Sequence, residues 1–196
     1  MPGVLLYSVL GFLLGALPFS VWIGLGLTGQ DPRRVGDGTP GAANAWRAGG
    51  PGVGLLVLFL DAAKGGLPVA LARYVAGVNG WDVLPVALAP TVGHVASPFL
   101  RFRGGKGIAT TFGVWSALTL WEIPTVFGLS LAAGLAILRA SGWTVVAASL
   151  VALAYLLARG APTPLAVAWG ANLLLLAWTH RRDLSRLPPA RRKGER

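Results

Sequence analysis

The sequence predicts an all-α membrane protein, a polytopic helical bundle of about seven transmembrane helices with its N-terminus outside and its C-terminus in the cytoplasm. Three observations predict it. First, 54 % of the 196 residues are apolar, only 12 % are charged, and mean hydropathy is +0.64; a soluble domain carries roughly 25 % charged residues. Second, the apolar residues gather into runs near the ~20 residues that span a bilayer. Third, the basic residues fall almost entirely on one side of those runs.

The runs are 4–28, 52–77, 83–100, 107–121, 124–139, 143–160 and 163–180. The fourth and fifth are short, so they are expected to be short, tilted or partly re-entrant spans. Residues 2–29 hold no charge, so the basic start of a signal peptide is missing and the first run reads as a retained span. With seven spans, one side receives fourteen Lys and Arg and the other only Arg73 and Arg159. Cytoplasmic loops are the ones enriched in Lys and Arg, which sets the orientation. The chain divides into one transmembrane domain, 1–187, and a basic tail, 188–196, expected to lie against anionic head groups.

Composition also excludes chemistry. No cysteine is present, which removes disulfides and thiolate nucleophiles. Two histidines and few carboxylates make a metal cage unexpected. No Ser-His-Asp pattern and no paired carboxylates stand out, so any reaction must rely on an activated substrate.

Two loops can hold anions. In the first, Thr39-Pro40 reads as a helix start with Thr39 as N-cap, and Gly49 or Gly50 as its end. Backbone amides of the Gly36-Asp37-Gly38 turn ahead of it could cradle an anion; the plainer alternative is an interfacial connector with tight turns. In the second, Gly104-Gly105-Lys106-Gly107 precedes the fourth span, so amides, helix dipole and the Lys106 charge coincide. Its alternative is a flexible, positively charged loop. Within the second span, Asp61 and Lys64 share a helix face and read as a structural ion pair, with substrate contact as the alternative and, for Lys64, snorkelling. His94 reads as a hydrogen-bonded packing residue, and His180 as an interface residue.

These segments resemble the bacterial acyl-phosphate-dependent glycerol-3-phosphate acyltransferases. Their first motif, roughly G-S-G-N-x-G-A-T-N-x-x-R, is matched by Gly36 through Arg47. D-x-x-K-G is matched by Asp61 through Gly65. G-H-x-x-x-x-F-L-x-F-x-G-G-K-G is matched by Gly93 through Gly107. H-R-x-N-I-x-R-L is matched by His180 through Leu187.

The resemblance implies acyl transfer from acyl phosphate to the 1-hydroxyl of glycerol 3-phosphate at the cytoplasmic side, releasing phosphate and lysophosphatidic acid. It implies Arg47, Lys106, His180 and Asp37 as catalytic residues. Gly36, Gly38, Thr39, Asn44, Gly104, Gly105, Gly107 and Asp183 are implied as substrate contacts, with Asp61, Lys64 and His94 structural. Expected partners are the two substrates and membrane lipids, with no cofactor, no metal, no nucleic acid, a monomeric state and a cell (inner) membrane location.

The chain departs from the motifs at Asp37 for serine, Thr39 for asparagine, Ala43 for threonine and Asp183 for asparagine. Two of these set a carboxylate beside an anion site. Asp37 is then either a base toward the glycerol hydroxyl or a partner of Arg33, Arg34 or Arg47. The alternative function is a divergent paralogue that transports or binds lipids or anions. A transporter requires polar residues along the spans, and beyond Asp61, Lys64 and Asn172 the spans lack them. A CDP-alcohol phosphotransferase requires a string of aspartates that this chain does not have.

Overall fold

The first apolar run does not form one helix. In the structure, a computed structural model that describes residues 2–138 and 141–185, it is split at Leu17-Pro18 into α1 (Pro2–Ala16) and α2 (Phe19–Thr28). Proline cannot donate to the helix ladder, so carbonyls near the break need other donors. Ser97 Oγ donates to Ala16 O at 2.6 Å, and Lys64 Nζ donates to Leu17 O at 2.7 Å. The same ammonium lies 2.7 Å from Asp61 Oδ1, with both side chains buried. Lys64 therefore caps a broken helix and neutralises Asp61. The two charges expected on one helix face thus form a buried ion pair, and the Lys64 ammonium does not reach out to an interface.

Helix α3 (Ala42–Ala70) joins the first loop to the second span. It is two helices across a break at Gly50, whose φ of +81° favours glycine, and Pro51 then starts the spanning half. The expected end of the short helix is thus met. Its expected start is not, because α3 begins after Gly41 and Thr39 caps nothing. The Thr39 hydroxyl is instead taken by Asp37.

The remaining helices are α4 (Val83–Val95), α5 (Ile108–Thr119), α6 (Glu122–Leu138), α7 (Ser141–Ala158), α8 (Thr163–Thr179) and the short α9 (Arg181–Leu184). No strand occurs among the described residues. Segments 3–28, 42–75 and 80–100 are long and apolar enough to cross a membrane, and α5 to α8 are shorter apolar helices. Arg139, Arg186 and the tail 188–196 lie outside the described residues.

Lipid offers little hydrophobic gain on helix contact, so close backbone approach carries the packing. A Cβ on Gly113 of α5 would overlap the Ala62 carbonyl of α3, and one on Gly93 of α4 would overlap the Phe12 carbonyl of α1. Elsewhere an aromatic cluster sits in an otherwise aliphatic core. Trp169 meets Trp115 and Phe127 edge-on at 4.8 and 5.3 Å, and its indole N–H donates to Ser149 O. Side chains such as Phe59, Leu174 and Ile137 point outward and exposed, giving the bundle an apolar flank.

Successive helices run back and forth. As a result, loops 29–41 and 96–107 and residues 180–185 meet at one end, while Arg73, Asn79 and Pro162 line a small cleft at the other. Replacing Lys64 by Met strands the Asp61 charge in the bundle and should cost about 3–5 kcal/mol. Melting temperature in detergent checks this, and the Asp61→Asn/Lys64→Met double variant should recover part of the loss.

Candidate active site

At the loop-rich end, Gly36 and Gly38 (φ +60° and +76°) turn the chain so that Asp37 faces back over α3. Asp37 Oδ1 accepts from the Thr39 amide at 3.1 Å, the Thr39 hydroxyl at 2.7 Å and Asn44 Nδ2 at 2.8 Å. Asn44 is buried in the first turn of α3 and also donates to Thr39 O at 2.9 Å. Its Oδ1 accepts from Arg47 Nη1 at 2.7 Å, one turn further along the helix. One buried amide thus fixes both the Asp37 carboxylate and the Arg47 guanidinium. A side chain on Gly36 would strike Asn44 Oδ1 and Arg47 Nη1, so glycine is needed there for space as well as for φ.

The second loop folds back on the end of α4. Gly104 N donates to Val95 O at 2.9 Å and Gly105 N to His94 O at 3.2 Å. Those amides, and that of Gly38, which donates to Val35 O, are committed to the backbone. Three amides of the two expected cradles, the Gly36–Gly38 turn and the Gly104–Gly107 loop, are therefore already spent. Gly105 serves close approach instead: a Cβ would overlap His94 Nε2 and the Pro40 carbonyl, so this contact stitches the two loops together. Gly107, with φ +87°, starts α5 in a left-handed conformation.

Between these glycines Lys106 projects to the loop face. Its Nζ lies 2.8 Å from Asp37 Oδ2 and 2.8 Å from Asp183 Oδ2 on α9. Its backbone carbonyl accepts from Thr179 Oγ1 at 3.1 Å. Asp37 is therefore the partner of Lys106 rather than of Arg33, Arg34 or Arg47; Arg33 pairs with Asp31. Partial burial would push the Asp37 carboxyl up, but hydrogen bonds from Lys106, Thr39 and Asn44 outweigh it and hold the group well below the usual carboxylate range. Burial likewise opposes the Lys106 charge, while Asp183 and Asp37 outweigh it and raise the group above its ordinary value. A carboxylate held this firmly ionised is a poor proton acceptor, so the base reading of Asp37 is not supported.

His180 follows α8 and is buried. Its Nδ1 lies 2.8 Å from Leu176 O and 3.2 Å from Thr179 Oγ1. A carbonyl can only accept, so Nδ1 carries a proton and the neutral ring presents Nε2 as an acceptor. Nε2 has no hydrogen-bond partner among the described residues.

Two clefts flank Lys106. The inner one, about 320 Å³, is lined by Asn44, Arg47, Leu58, Lys106, Ile108 and His180, and runs from the polar loops toward the apolar flank. Asp61 and His94 form part of its floor, with His94 Nδ1 3.8 Å from Asp61 Oδ1. The outer one, about 530 Å³, is lined by Phe102, Arg103, Trp178, Arg181 and Arg182. Both volumes fall in the range of small-ligand sites. The structure thus brings Asp37, Thr39, Asn44, Arg47, Lys106, His180 and Asp183 to one face. Thr179 was missed by sequence reasoning: a threonine ending an apolar helix carries no signal that its hydroxyl will hold a loop 73 residues away.

An apolar helical bundle with two cations converging on a cleft at one membrane-facing end defines an integral membrane enzyme acting on an anionic amphiphile. Comparison makes the class specific. The glycerol-3-phosphate acyltransferase family model matches residues 5–189. The chain is 40 % identical to a glycerol-3-phosphate acyltransferase of Thermus thermophilus, over 96 % of this chain and 94 % of that protein. It is 38 % identical to one from Anaeromyxobacter dehalogenans, over 94 % and 93 %. The crystal structure of PlsY (YgiH), an integral membrane glycerol 3-phosphate acyltransferase in its glycerol 3-phosphate form, superposes with TM-score 0.85 at 31 % identity, covering 93 % of this chain and 90 % of that one. Its lysophosphatidic acid form gives 0.84 at 28 %. The chain belongs to the glycerol-3-phosphate acyltransferase family.

Replacing Lys106 by Met removes the strongest stabiliser of the ionised Asp37. The Asp37 carboxyl pKa should rise toward or above the ordinary carboxylate value, read by carbon NMR of labelled aspartate in micelles.

Proposed function

We propose that this protein transfers an acyl group from acyl phosphate to the 1-hydroxyl of glycerol 3-phosphate, giving lysophosphatidic acid and phosphate. The observation that carries the reading is the convergence of Arg47, from the start of α3, and Lys106, from the second loop, on a cleft that continues into the apolar flank. Phosphates are held at the polar mouth, and an acyl chain leaves along Leu58 and Ile108 toward lipid.

The chemistry needs no protein nucleophile, because acyl phosphate is a mixed anhydride with a good leaving group. The glycerol oxygen attacks the acyl carbon, the bond from that carbon to the phosphate oxygen breaks, and the hydroxyl proton passes to phosphate. Arg47, fixed by Asn44, orients the glycerol phosphate. Lys106 stabilises charge developing on the leaving phosphate. His180 Nε2 is placed to accept a hydrogen bond from the attacking hydroxyl and orient its lone pair. Gly36 and Gly107 keep the loop geometry that sets these groups.

In this reading the chain is one unit over 1–187 that crosses the cell (inner) membrane seven times. The N-terminus is outside, and the loop cluster and the basic tail are cytoplasmic. The positive-inside asymmetry supports that orientation. The protein acts as a monomer in this reading.

With palmitoyl phosphate and glycerol 3-phosphate, the detergent-purified protein should release phosphate only when both are present. Lys106→Ala and Arg47→Ala should each lower kcat/KM by roughly 100-fold or more, on the scale of a lost charge-stabilising donor. Retained turnover in both variants contradicts the assignment. Because the chain lacks cysteine, single cysteines introduced at the exposed positions Asn79 and Ser185 report topology: an impermeant maleimide applied to intact cells should label the first and not the second.

A further inference from the structure

Four guanidinium groups line a groove that the proposed chemistry does not use. It measures about 620 Å³ and lies between the first loop, which supplies Arg33 and Arg34, and the second, which supplies Arg101 and Arg103. Asp31 is the one acid among its lining residues, and Arg33 engages it from two nitrogens, Nε to Oδ1 at 3.0 Å and Nη2 to Oδ2 at 2.7 Å. The side chains of Arg34, Arg101 and Arg103 make no hydrogen bond or ion pair among the described residues. Four cations against one carboxylate leave the groove a formal charge of +3. The adjoining outer cleft does not offset it: its acids, Asp37 and Asp183, lie on Lys106, and it adds Arg181 and Arg182.

The second loop holds its arginines in a defined turn. Arg101 and Phe102 both take left-handed φ, +51° and +60°, a conformation unfavourable for residues with a Cβ. The Arg101, Phe102 and Arg103 amides hold it by donating to the Pro98, Ser97 and Leu100 carbonyls. At its rim the groove meets the apolar flank. Phe99 lines it, is exposed, and packs edge-on against the exposed Trp22 of α2, ring centroids 6.5 Å apart. Aromatic side chains beside a membrane span mark the head-group level.

We propose that this groove docks the head group of an anionic phospholipid, with its phosphate between Arg34 and Arg101 and its acyl chains along Phe99 and Trp22. One bound lipid then joins the two loops that build the substrate cleft and offsets the repulsion among arginines that opposes their approach. The aromatic rim is what selects a lipid over a soluble anion, since only a lipid has apolar chains to lay on it.

The test adds dioleoylphosphatidylglycerol at rising mole fraction to the full-length protein in dodecyl maltoside micelles and reads the midpoint of the shift in melting temperature. That midpoint should lie about tenfold below the one for dioleoylphosphatidylcholine. Arg34→Gln/Arg101→Gln should raise the phosphatidylglycerol midpoint about tenfold, since it removes two cations that face the head group. Arg34→Lys/Arg101→Lys keeps both charges and should stay within about threefold of wild type. Arg191→Gln/Arg192→Gln removes the same charge from the tail and should stay within about twofold. Equal midpoints for the two lipids, or a midpoint unmoved by the glutamine pair in the groove, overturns the proposal. So does an equal loss in the tail variant, which traces the effect to surface charge alone. Stabilisation of the same size by inorganic phosphate without lipid overturns the lipid as occupant. The readout involves no turnover, so these outcomes stand apart from the acyltransferase assignment.

Discussion

The ammonium of Lys106 joins three stretches of chain that are far apart in sequence. Asp37 reaches it from the first loop, its own backbone belongs to the second, and Asp183 reaches it from the end of the bundle. Thr179 holds the same residue through its carbonyl. Such charge-assisted contacts at a partly screened surface contribute modestly to stability, about 0–1 kcal/mol for an exposed pair. Their importance is geometric. They bring the start of α3, which carries Arg47, opposite the helix end that carries His180, and the inner cleft lies between them.

A second charged centre supports the first from inside the bundle. Lys64 and Asp61 are buried where an unpaired charge is expensive, and Lys64 also satisfies a carbonyl released by the break at Pro18. Ser97 does the same for Ala16 and lies just ahead of the turn that leads to Gly104. The broken first span is thereby tied to α3 and α4 at the depth where the cleft has its floor. A straight first helix would leave Lys64 and Ser97 without these acceptors.

Much of this arrangement was legible in the residues. Apolar runs and their lengths mark the helices, and the break at Gly50-Pro51 is visible as glycine followed by proline. The loops that carry Arg47 and Lys106 stand out by their glycines and charge, and the family motifs name all but a few of the residues that meet. What stayed hidden depends on partners distant in sequence. Thr39 reads locally as a helix cap, but Asp37, two residues earlier, captures its hydroxyl and amide, and the helix starts after Gly41. Gly104 and Gly105 read as free amides, but the chain doubles back and spends them on the end of α4. Asp37 and Asp183 are each visible as carboxylates in an anion site. That both rest on the same lysine, itself 77 residues before Asp183, follows only from the fold.

The most direct test of this account is a structure of the protein with glycerol 3-phosphate bound. The account predicts the phosphate in the inner cleft between Arg47 and Lys106, with Lys106 Nζ within hydrogen-bond distance of a phosphate oxygen and Asp37 still held by Asn44. A phosphate bound away from Lys106, with both carboxylates still on the ammonium, would contradict it.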